Sequence, residues 1–325
     1  WALPRTPDPS RLLQSKVPPR PDADAFEAEL ELSFERLGCD RLDLLAIHGI
    51  NLPEHLEQTL QPGGCMEVVR RWQAEGRIGH VGFSTHGPTA LIAEACDSGA
   101  FDYVNLHWYY IRQDNGPALD AARRQDMGVF IISPTDKGGH LHTPSQRLLE
   151  LCAPLHPIVF NDLFCLQDPR VHTISVGAAR PEDLELHLEA LRLLPEAASL
   201  IAPVDQRLRQ AADEALGRDW MATWSVGLPP WHATPGEINL PVLLWLYNLL
   251  EAWDLESYAK ARYGLLGSGG HWFAGANADG FDAEVSVEEL QSVLQESPWR
   301  ERIPEILRSL KQRLKGESQM RLSSV

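Results

Sequence analysis

The segment LDLLAIHGIN, from Leu42 to Asn51, decides the fold. Its apolar residues do not alternate with polar ones, and a polar residue, His48, follows them. A short apolar run of this kind predicts a β-strand that is buried on both faces, as in a parallel sheet. Apolar residues spaced three and four apart in 26–37 and 66–76 predict a helix before the strand and another after it. A histidine at the end of such a strand lies where barrel enzymes place their active-site residues.

Strands and helices are predicted to alternate as far as residue 194. The predicted strands end at or near Lys16, His48, Ser84, Asn105, Ile132 and Val176. Residues 49–64, which are bounded by glycines, predict a long loop. Alternation of this kind is typical of a parallel α/β structure.

Two α/β architectures are compatible with this alternation. A (β/α)8 TIM barrel has eight strands, more than are predicted, whereas the glycine-rich fingerprint of a doubly wound dinucleotide-binding sheet is absent. The chain starts at Trp1, without a methionine. We therefore predict a (β/α)8 TIM barrel over residues 1–199 whose first strands precede Trp1. A mainly helical, tryptophan-rich extension is predicted over residues 200–325.

The composition argues against several classes of function. The net charge of −16 disfavours sequence-independent binding to nucleic acid or to anionic membranes, since both need clustered Lys and Arg. The five cysteines are scattered without a C-x-x-C pair, which indicates reduced thiols rather than disulfides or a metal cluster. No signal peptide is recognisable, and the apolar run near 240–250 is too short to span a bilayer. A cytoplasmic protein is the prediction.

Lys16 and His48 end consecutive predicted strands, so both are expected at the carboxyl-terminal rim of the barrel. A lysine there can hold a neighbouring phenol in its ionisable range. A histidine can donate a hydrogen bond to a carbonyl oxygen as negative charge develops on it. Either residue alone is more often structural or solvent-exposed, but their equivalent positions on consecutive strands favour a catalytic interpretation.

Ser84, Thr85 and Asn105 lie at the ends of the next two predicted strands. Serine and asparagine side chains can hold a planar amide such as nicotinamide, because they donate to its oxygen and accept from its nitrogen. The alternative is that Ser84 caps the following helix.

Two loops have the features of an anion site. SPTDKGGH at 133–140 has glycines that permit close backbone approach to a phosphate. SVGAARPEDLELH at 175–187 runs from a strand through small residues and an arginine to a helix start, which combines backbone N–H groups with a guanidinium. The predicted cofactor-binding residues of these loops are Ser133, Gly138, Ser175, Gly177 and Arg180.

Tryptophans are concentrated in residues 220–280. They could form a stacking platform, but packing of the extension is the commoner use of such residues. They are Trp220, Trp224, Trp231, Trp245, Trp253 and Trp272.

Taken together, the motifs resemble the aldo-keto reductase family. The similarity covers about residues 11–194, with the motifs in the order of the family. The matching segments are SFERLG (33–38), DLLAIH (43–48), EGRIGHVGFS (75–84), SP with following glycines (133–139) and TISVGAARPEDLELHL (173–188).

This resemblance implies a barrel that uses NADPH (NADP+) to reduce a small-molecule carbonyl compound, an aldehyde or ketone, by hydride transfer. It makes Lys16 the partner of a catalytic tyrosine and His48 the catalytic histidine. It implies that Ser84 and Asn105 hold the carboxamide of the cofactor. Arg180 would lie in the loop for the 2′-phosphate.

The chain departs from the family at three places. The catalytic tyrosine and its companion aspartate lie upstream of the lysine in the family, in a segment that we expect before Trp1. Ile132 stands where a tyrosine usually stacks on nicotinamide. His187 stands where an asparagine usually lies near the adenine, and we predict it in that place.

The C-terminal region resembles that of a bacterial branch whose extension carries ferredoxin-like cysteine motifs. ATPGEINLP at 233–241 and ARYGLLGSGGHWF at 261–273 carry this resemblance. Cys165 is the last cysteine, so no iron-sulfur cluster is expected, because its thiolate ligands are missing. The alternative function is a non-catalytic barrel that binds a nucleotide, or a protein partner through the extension.

Overall fold

A computed structural model describes residues 11–268 and 273–316. It contains two compact units. The described part of the first unit comprises 11–137 and Phe164–Ala179, and that of the second comprises Gly138–Leu163 and 180–316, leaving out 269–272. These units do not divide after residue 199, the boundary that we predict, because both Gly138–Leu163 and 180–199 belong to the second unit. Trp272 and the segment 1–10 lie outside the described residues.

The first unit is built on a parallel sheet whose strands follow one another in sequence order. Each strand is followed by helical structure, as the alternation predicts. Adjacent parallel strands in sequence order are the arrangement of a (β/α)8 barrel. The strands are β1 (Gln14–Val17), β2 (Leu42–His48), β3 (Ile78–Ser84), β4 (Tyr103–Leu106), β5 (Gly128–Ile132) and β6 (Thr173–Ser175).

The helices of this unit cover one face of the sheet. Alternate residues of β2 and β3, such as Leu45, Ile47 and Phe83, are fully buried in the hydrophobic core that these helices complete. The helix before β2 begins at its N-cap Asp22 and ends at Gly38, whose φ of 63° is the left-handed conformation that glycine adopts easily. The helices are α1 (Ala23–Leu37), α2 (Pro53–Leu60), α3 (Cys65–Ala74), α4 (Thr89–Asp97), α5 (Gly116–Arg124) and α6 (Pro134–Lys137).

The loop predicted over 49–64 is wrong in its centre, where α2 forms. Pro53 lies in the first turn of this helix, where a missing N–H costs nothing, and Leu56 and Thr59 are its buried residues. With only two buried positions, the apolar periodicity of this segment is too weak to distinguish a helix from a loop. The helix is thus determined by its packing rather than by its own sequence pattern.

The second unit is helical. Trp220 is buried and donates from Nε1 to Asn248 Oδ1 at 2.6 Å, whereas Trp224, Trp231, Trp245 and Trp253 are half-buried. Among the described tryptophans of 220–280 the packing role is therefore clearest for Trp220. The α-helices are α7 (Gln146–Cys152), α8 (Pro157–Leu166, whose end belongs to the first unit), α9 (Glu185–Leu193), α10 (Ala197–Leu216), α11 (Arg218–Thr223), α12 (Leu240–Trp253), α13 (Glu256–Leu265), α14 (Val287–Ser292) and α15 (Ile303–Leu314).

No single helix in the described ranges has the length and hydropathy needed to cross a membrane. The helices α7 and α8 meet these criteria only when they are taken together, and they are bent by 53° at the break between them.

Candidate active site

Polar side chains form a row across the sheet at the carboxyl ends of β2, β3 and β4. His48 is in register with Ser84, and Ser84 is in register with Asn105. Residues in register on parallel strands project from the same face. Lys16 joins this face, because it is in register with Ala46, two residues before His48. The row therefore collects four of the residues that we predicted from separate strand ends.

The face that carries this row is the inside of a curled sheet. Gln14 on β1 donates from Nε2 to Asn105 Oδ1 on β4 at 3.2 Å. These strands are not neighbours in the sheet, since β2 and β3 lie between them. Their side chains can meet only if the sheet curls toward this face, as in a barrel. The sequence did not single out Gln14, although it lies two residues before Lys16 and hence on the same face.

Lys16 and His48 affect each other electrostatically. Burial lowers the pKa of the Lys16 ammonium below its ordinary value. The pKa of His48 is also lowered, first by desolvation and then by the positive charges of Lys16 and Lys137. His48 is exposed by surface area, but the surrounding protein desolvates its ring enough to disfavour the cation. A neutral imidazole at neutral pH follows, and it can donate a hydrogen bond to a carbonyl oxygen without carrying a charge.

Replacing Lys16 by Met is expected to raise the pKa of His48. The substitution removes one of the two positive charges that lower this pKa, while the apolar side chain keeps the stem volume. An NMR titration of the imidazole measures the change directly. Lys315→Met is the matched control, since Lys315 is not among the charges that act on His48. An unchanged titration in Lys16→Met would contradict the coupling of the two residues.

Ser84 and Thr85 form hydrogen bonds that connect the end of β3 to the segment that follows β2. Ser84 Oγ accepts from Gly49 N at 3.2 Å, and Thr85 Oγ1 donates to Ile50 O at 2.6 Å. Both side chains are buried. The alternative in which Ser84 caps the next helix is wrong, because the N-cap residue of α4 is Pro88. A hydroxyl at Ser84 is thus held at the sheet edge and remains able to donate.

Asn105 has an unsatisfied donor inside the barrel. The side chain is 1% exposed, its Oδ1 accepts from Gln14, and its Nδ2 has no hydrogen-bond partner among the described residues. A buried N–H group without a partner costs about 1–3 kcal/mol. An oxygen of a bound molecule would supply the acceptor that this group lacks. The predicted amide-binding pair, Ser84 and Asn105, is brought together by the register of β3 and β4.

The predicted phosphate residues of the first unit lie after β5 and on or after β6. Ser133 N donates to Ser175 O at 2.8 Å, so these two residues are adjacent. Ser133 has a φ of 48°, a left-handed conformation that a serine rarely adopts. Gly177 is exposed, and a Cβ built on it would meet no atom within 4 Å. Gly177 therefore borders open space.

Three other predicted cofactor residues belong to the second unit. Gly138 is buried in the turn that follows α6. Arg180 is exposed and forms an ion pair with Asp183 at 3.0 Å. His187 is buried, and its Nδ1 lies 2.5 Å from Asp162 Oδ2. Their predicted contacts with phosphate and adenine stay predictions. Arg180 and His187 each form a contact with an aspartate in this structure.

Neither His107 nor Tyr109 was predicted from the sequence to be a functional residue. His107 follows β4 directly and lies two residues after Asn105, so the two-residue period of a strand puts it beside the row. It is buried and hydrogen-bonded through both ring nitrogens, to His86 and to Tyr109. The two-residue spacing between Asn105 and His107 could have identified His107 from the sequence. Its contact with Tyr109 could not be identified in this way, because it depends on the conformation of the loop after β4.

No group of three or more His, Cys, Asp or Glu residues suited to a metal ion occurs in the described ranges. The geometry is instead that of a barrel whose inner face ends in a neutral histidine, a lysine, a hydroxyl and an amide. These features define the class of fold as a (β/α)8 barrel with a helical C-terminal part, as predicted.

Comparison with solved structures shows which barrels this one resembles. The holo form of aldo-keto reductase AKR11C1 from Bacillus halodurans is 17% identical, with a TM-score of 0.51 over 60% of this chain and 72% of that one. Its apo form is also 17% identical, with a TM-score of 0.48 over 60% and 71% of the two chains. The thermostable aldo-keto reductase Tm1743 is 20% identical, with a TM-score of 0.45 over 57% and 70%.

The likeness to AKR11C1 confirms the aldo-keto reductase fold that the motifs indicate. No protein-family model and no curated protein matches the chain.

Proposed function

We propose that the protein is an NADPH-dependent oxidoreductase that reduces a carbonyl group of an aldehyde or ketone to an alcohol. The observation that carries the proposal is the row of Lys16, His48, Ser84 and Asn105 along one inner face of the sheet. A barrel with this fold keeps its active site at the carboxyl ends of its strands. The aldo-keto reductase fold supports an oxidoreductase assignment by analogy.

The residues of the row suit a nicotinamide. Asn105 Nδ2 is a buried donor without a partner, and it matches the carboxamide oxygen of the cofactor. The Ser84 hydroxyl, in register with Asn105, adds a second hydrogen-bonding group for the same planar amide. When bound, the nicotinamide would supply the hydride. The neighbouring side chains orient it and the substrate.

His48 and Lys16 would stabilise the reacting oxygen of the substrate. A neutral imidazole donates its N–H to the carbonyl oxygen and so stabilises the negative charge that develops there. The Lys16 ammonium would place a positive charge near this oxygen. Burial leaves this ammonium only partly solvated, which lowers its pKa. The resemblance assigns proton donation to a tyrosine that Lys16 would keep ionisable. A cytoplasmic location and a small-molecule carbonyl substrate belong to the same proposal.

Turnover of aromatic aldehydes with NADPH tests the proposal. The protein is mixed with NADPH and a panel of aromatic aldehydes and ketones. NADPH consumption is followed by absorbance, and the alcohol is identified chromatographically. We expect stoichiometric alcohol and NADP+. No turnover across the panel would overturn the enzymatic assignment.

Arg180→Ala is expected to weaken NADPH binding more than NADH binding. An arginine that meets the 2′-phosphate contributes only to the phosphorylated cofactor, by about 10-fold or more for a charge-assisted hydrogen bond. Quenching of tryptophan fluorescence measures both dissociation constants. Arg218→Ala is the matched control, because Arg218 is another exposed arginine of the second unit that is paired with an aspartate. Equal losses for the two cofactors would argue against the phosphate contact.

A further inference from the structure

The side-chain amide of Asn105 has two orientations that fill nearly the same space. Its oxygen and nitrogen are similar in size, so only hydrogen-bond partners distinguish the two orientations. In the structure Oδ1 accepts from Gln14 Nε2 at 3.2 Å. The buried Nδ2 has no hydrogen-bond partner among the described residues. The contact with Gln14 therefore decides which group of this amide remains for a ligand.

Gln14 lies near a second buried group, the hydroxyl of Tyr103. Tyr103 precedes Asn105 by two residues on β4, so both side chains are on the inner face. Burial raises the pKa of Tyr103, and Gln14 opposes this rise, as a donor near the phenol oxygen does. No described residue forms a hydrogen bond of ordinary geometry with this hydroxyl. The two N–H groups of the Gln14 amide thus have two oxygens nearby, which favours nitrogen rather than oxygen on this side.

A glycine on β3 gives the Tyr103 ring the space to approach Gln14. Gly82 is in register with Tyr103. A Cβ on Gly82 would lie 2.5 Å from Cγ and 2.6 Å from Cδ1 of Tyr103, much closer than two carbon atoms pack. The ring can therefore lie against β3, one of the two strands that separate β4 from β1. All of these residues belong to the first unit.

We propose that Gln14 is a positioning residue that holds Asn105 with its amide nitrogen toward the cofactor, so that the site requires a strong acceptor at the carboxamide oxygen of nicotinamide. This inference rests on the proposed NADPH-dependent reduction and specifies how its cofactor is recognised. Asn105 contacts the nicotinamide, and Gln14 acts only through Asn105. The opposite orientation would present Oδ1 and would require the carboxamide N–H instead.

Two cofactor analogues distinguish these orientations without turnover. Thionicotinamide adenine dinucleotide phosphate has a sulfur, a weak acceptor, in place of the carboxamide oxygen. The 3-acetylpyridine analogue keeps the oxygen and has a methyl group in place of the amino group. Isothermal titration calorimetry measures their dissociation constants and that of NADP+. We expect the thio analogue to bind the unaltered protein about 5- to 10-fold more weakly than NADP+, the size of one neutral hydrogen bond.

Two substitutions of Gln14 should change this preference in different ways. Gln14→Met keeps the side-chain volume and removes the donor, so Asn105 can take both orientations, and the penalty for the thio analogue should fall to about 2-fold or less. Gln14→Glu presents only acceptor oxygens, so Asn105 should turn and donate to them from Nδ2. The penalty for the thio analogue should then disappear. The acetylpyridine analogue should instead lose about 5- to 10-fold relative to NADP+.

Gln73→Met is the matched control. Gln73 is another half-buried glutamine of the first unit, and its Nε2 donates to Gly79 O at 2.9 Å, near the start of β3. This variant should keep both ratios of the unaltered protein. Ser84 is present in every variant, so a change in either ratio reports on Asn105. Ratios that stay the same in both Gln14 variants would overturn the proposal.

Neutron diffraction from a deuterated crystal of the ligand-free protein observes the orientation itself, because deuterium distinguishes the nitrogen of an amide from its oxygen. We expect deuterium on Gln14 Nε2 to point at Asn105 Oδ1. Deuterium on the Asn105 atom that faces Gln14 would overturn the proposal. If the unaltered protein binds none of the three dinucleotides, the proposed cofactor is wrong. The neutron experiment still decides whether Gln14 orients Asn105.

Discussion

Replacing His48 by Leu is expected to lower kcat for aldehyde reduction by about 100- to 1000-fold, the usual effect of removing one donor to a developing oxyanion. The donor acts on charge that exists only in the transition state, so KM should change much less than kcat. Binding of NADPH should be nearly unaffected, because the carboxamide contacts proposed for Ser84 and Asn105 remain.

The control for this prediction is His80→Leu. His80 is on the same strand face as Ser84 but four residues earlier, about 13 Å along the strand. Its side chain is 69% exposed, at the far end of β3 from the rim. This variant should keep full activity. If kcat of His48→Leu falls by less than a few-fold, His48 is not the donor.

The pH dependence of activity follows from the pKa of His48. Because this pKa lies below its ordinary value of 6.5, the ring is neutral throughout the neutral range. Protonation at lower pH adds a positive charge beside Lys16, and any loss of activity from that event should have its midpoint below 6.5. The NMR titration of Lys16→Met measures how much the charge of Lys16 contributes to this lowered pKa.

The sequence predicted the part of the fold that depends on short-range patterns. The strand that ends in His48 and the helices on both sides of it are confirmed, since β2, α1 and α3 depend on local apolar periodicity and on end residues such as Gly38. The common face of Lys16 and His48 on adjacent strands could be inferred because parallel strands in sequence order share one rim. Their positions are not equivalent, since Lys16 is in register with Ala46, two residues before His48.

The rest of the site depends on tertiary contacts that no local pattern encodes. The bond from Gln14 to Asn105 joins strands that are not neighbours, and it exists only because the sheet curls. Tyr109 reaches Ile132 through the loop after β4, whose conformation the sequence did not indicate. Periodicity could have identified Gln14 and His107 as members of the inner face, but not the atoms that they contact.

His187 shows the same limit in the second unit. Its motif position in the resemblance implies a place near the adenine, but did not indicate that the ring is 6% exposed and paired with the buried carboxylate of Asp162. Asp162 lies on α8, which has a nearly continuous apolar sequence, and nothing in that sequence predicts a partner on α9. A buried pair of this kind is a strong determinant of stability when one member is removed.

His187→Ala is expected to destabilise the protein by about 3 kcal/mol at pH 8, because it leaves the buried Asp162 carboxylate without its partner. Burial already raises the pKa of Asp162, and the hydrogen bond and charge of His187 oppose that rise. Without His187 the pKa rises further. A folded-state pKa above the unfolded value means that the folded state binds more protons, so stability falls as pH increases through the folded pKa.

The destabilisation by His187→Ala should therefore be smaller at pH 5 than at pH 8, and chemical denaturation at the two pH values measures the difference. Adding Asp162→Asn to His187→Ala removes the titrating group, so this double variant should lose most of the extra pH dependence. His142→Ala, at an exposed histidine of the same unit, is the control and should change stability little at either pH. A His187→Ala penalty that is equal at both pH values would mean that Asp162 stays protonated throughout. The short contact between the two side chains would then be a neutral hydrogen bond rather than an ion pair.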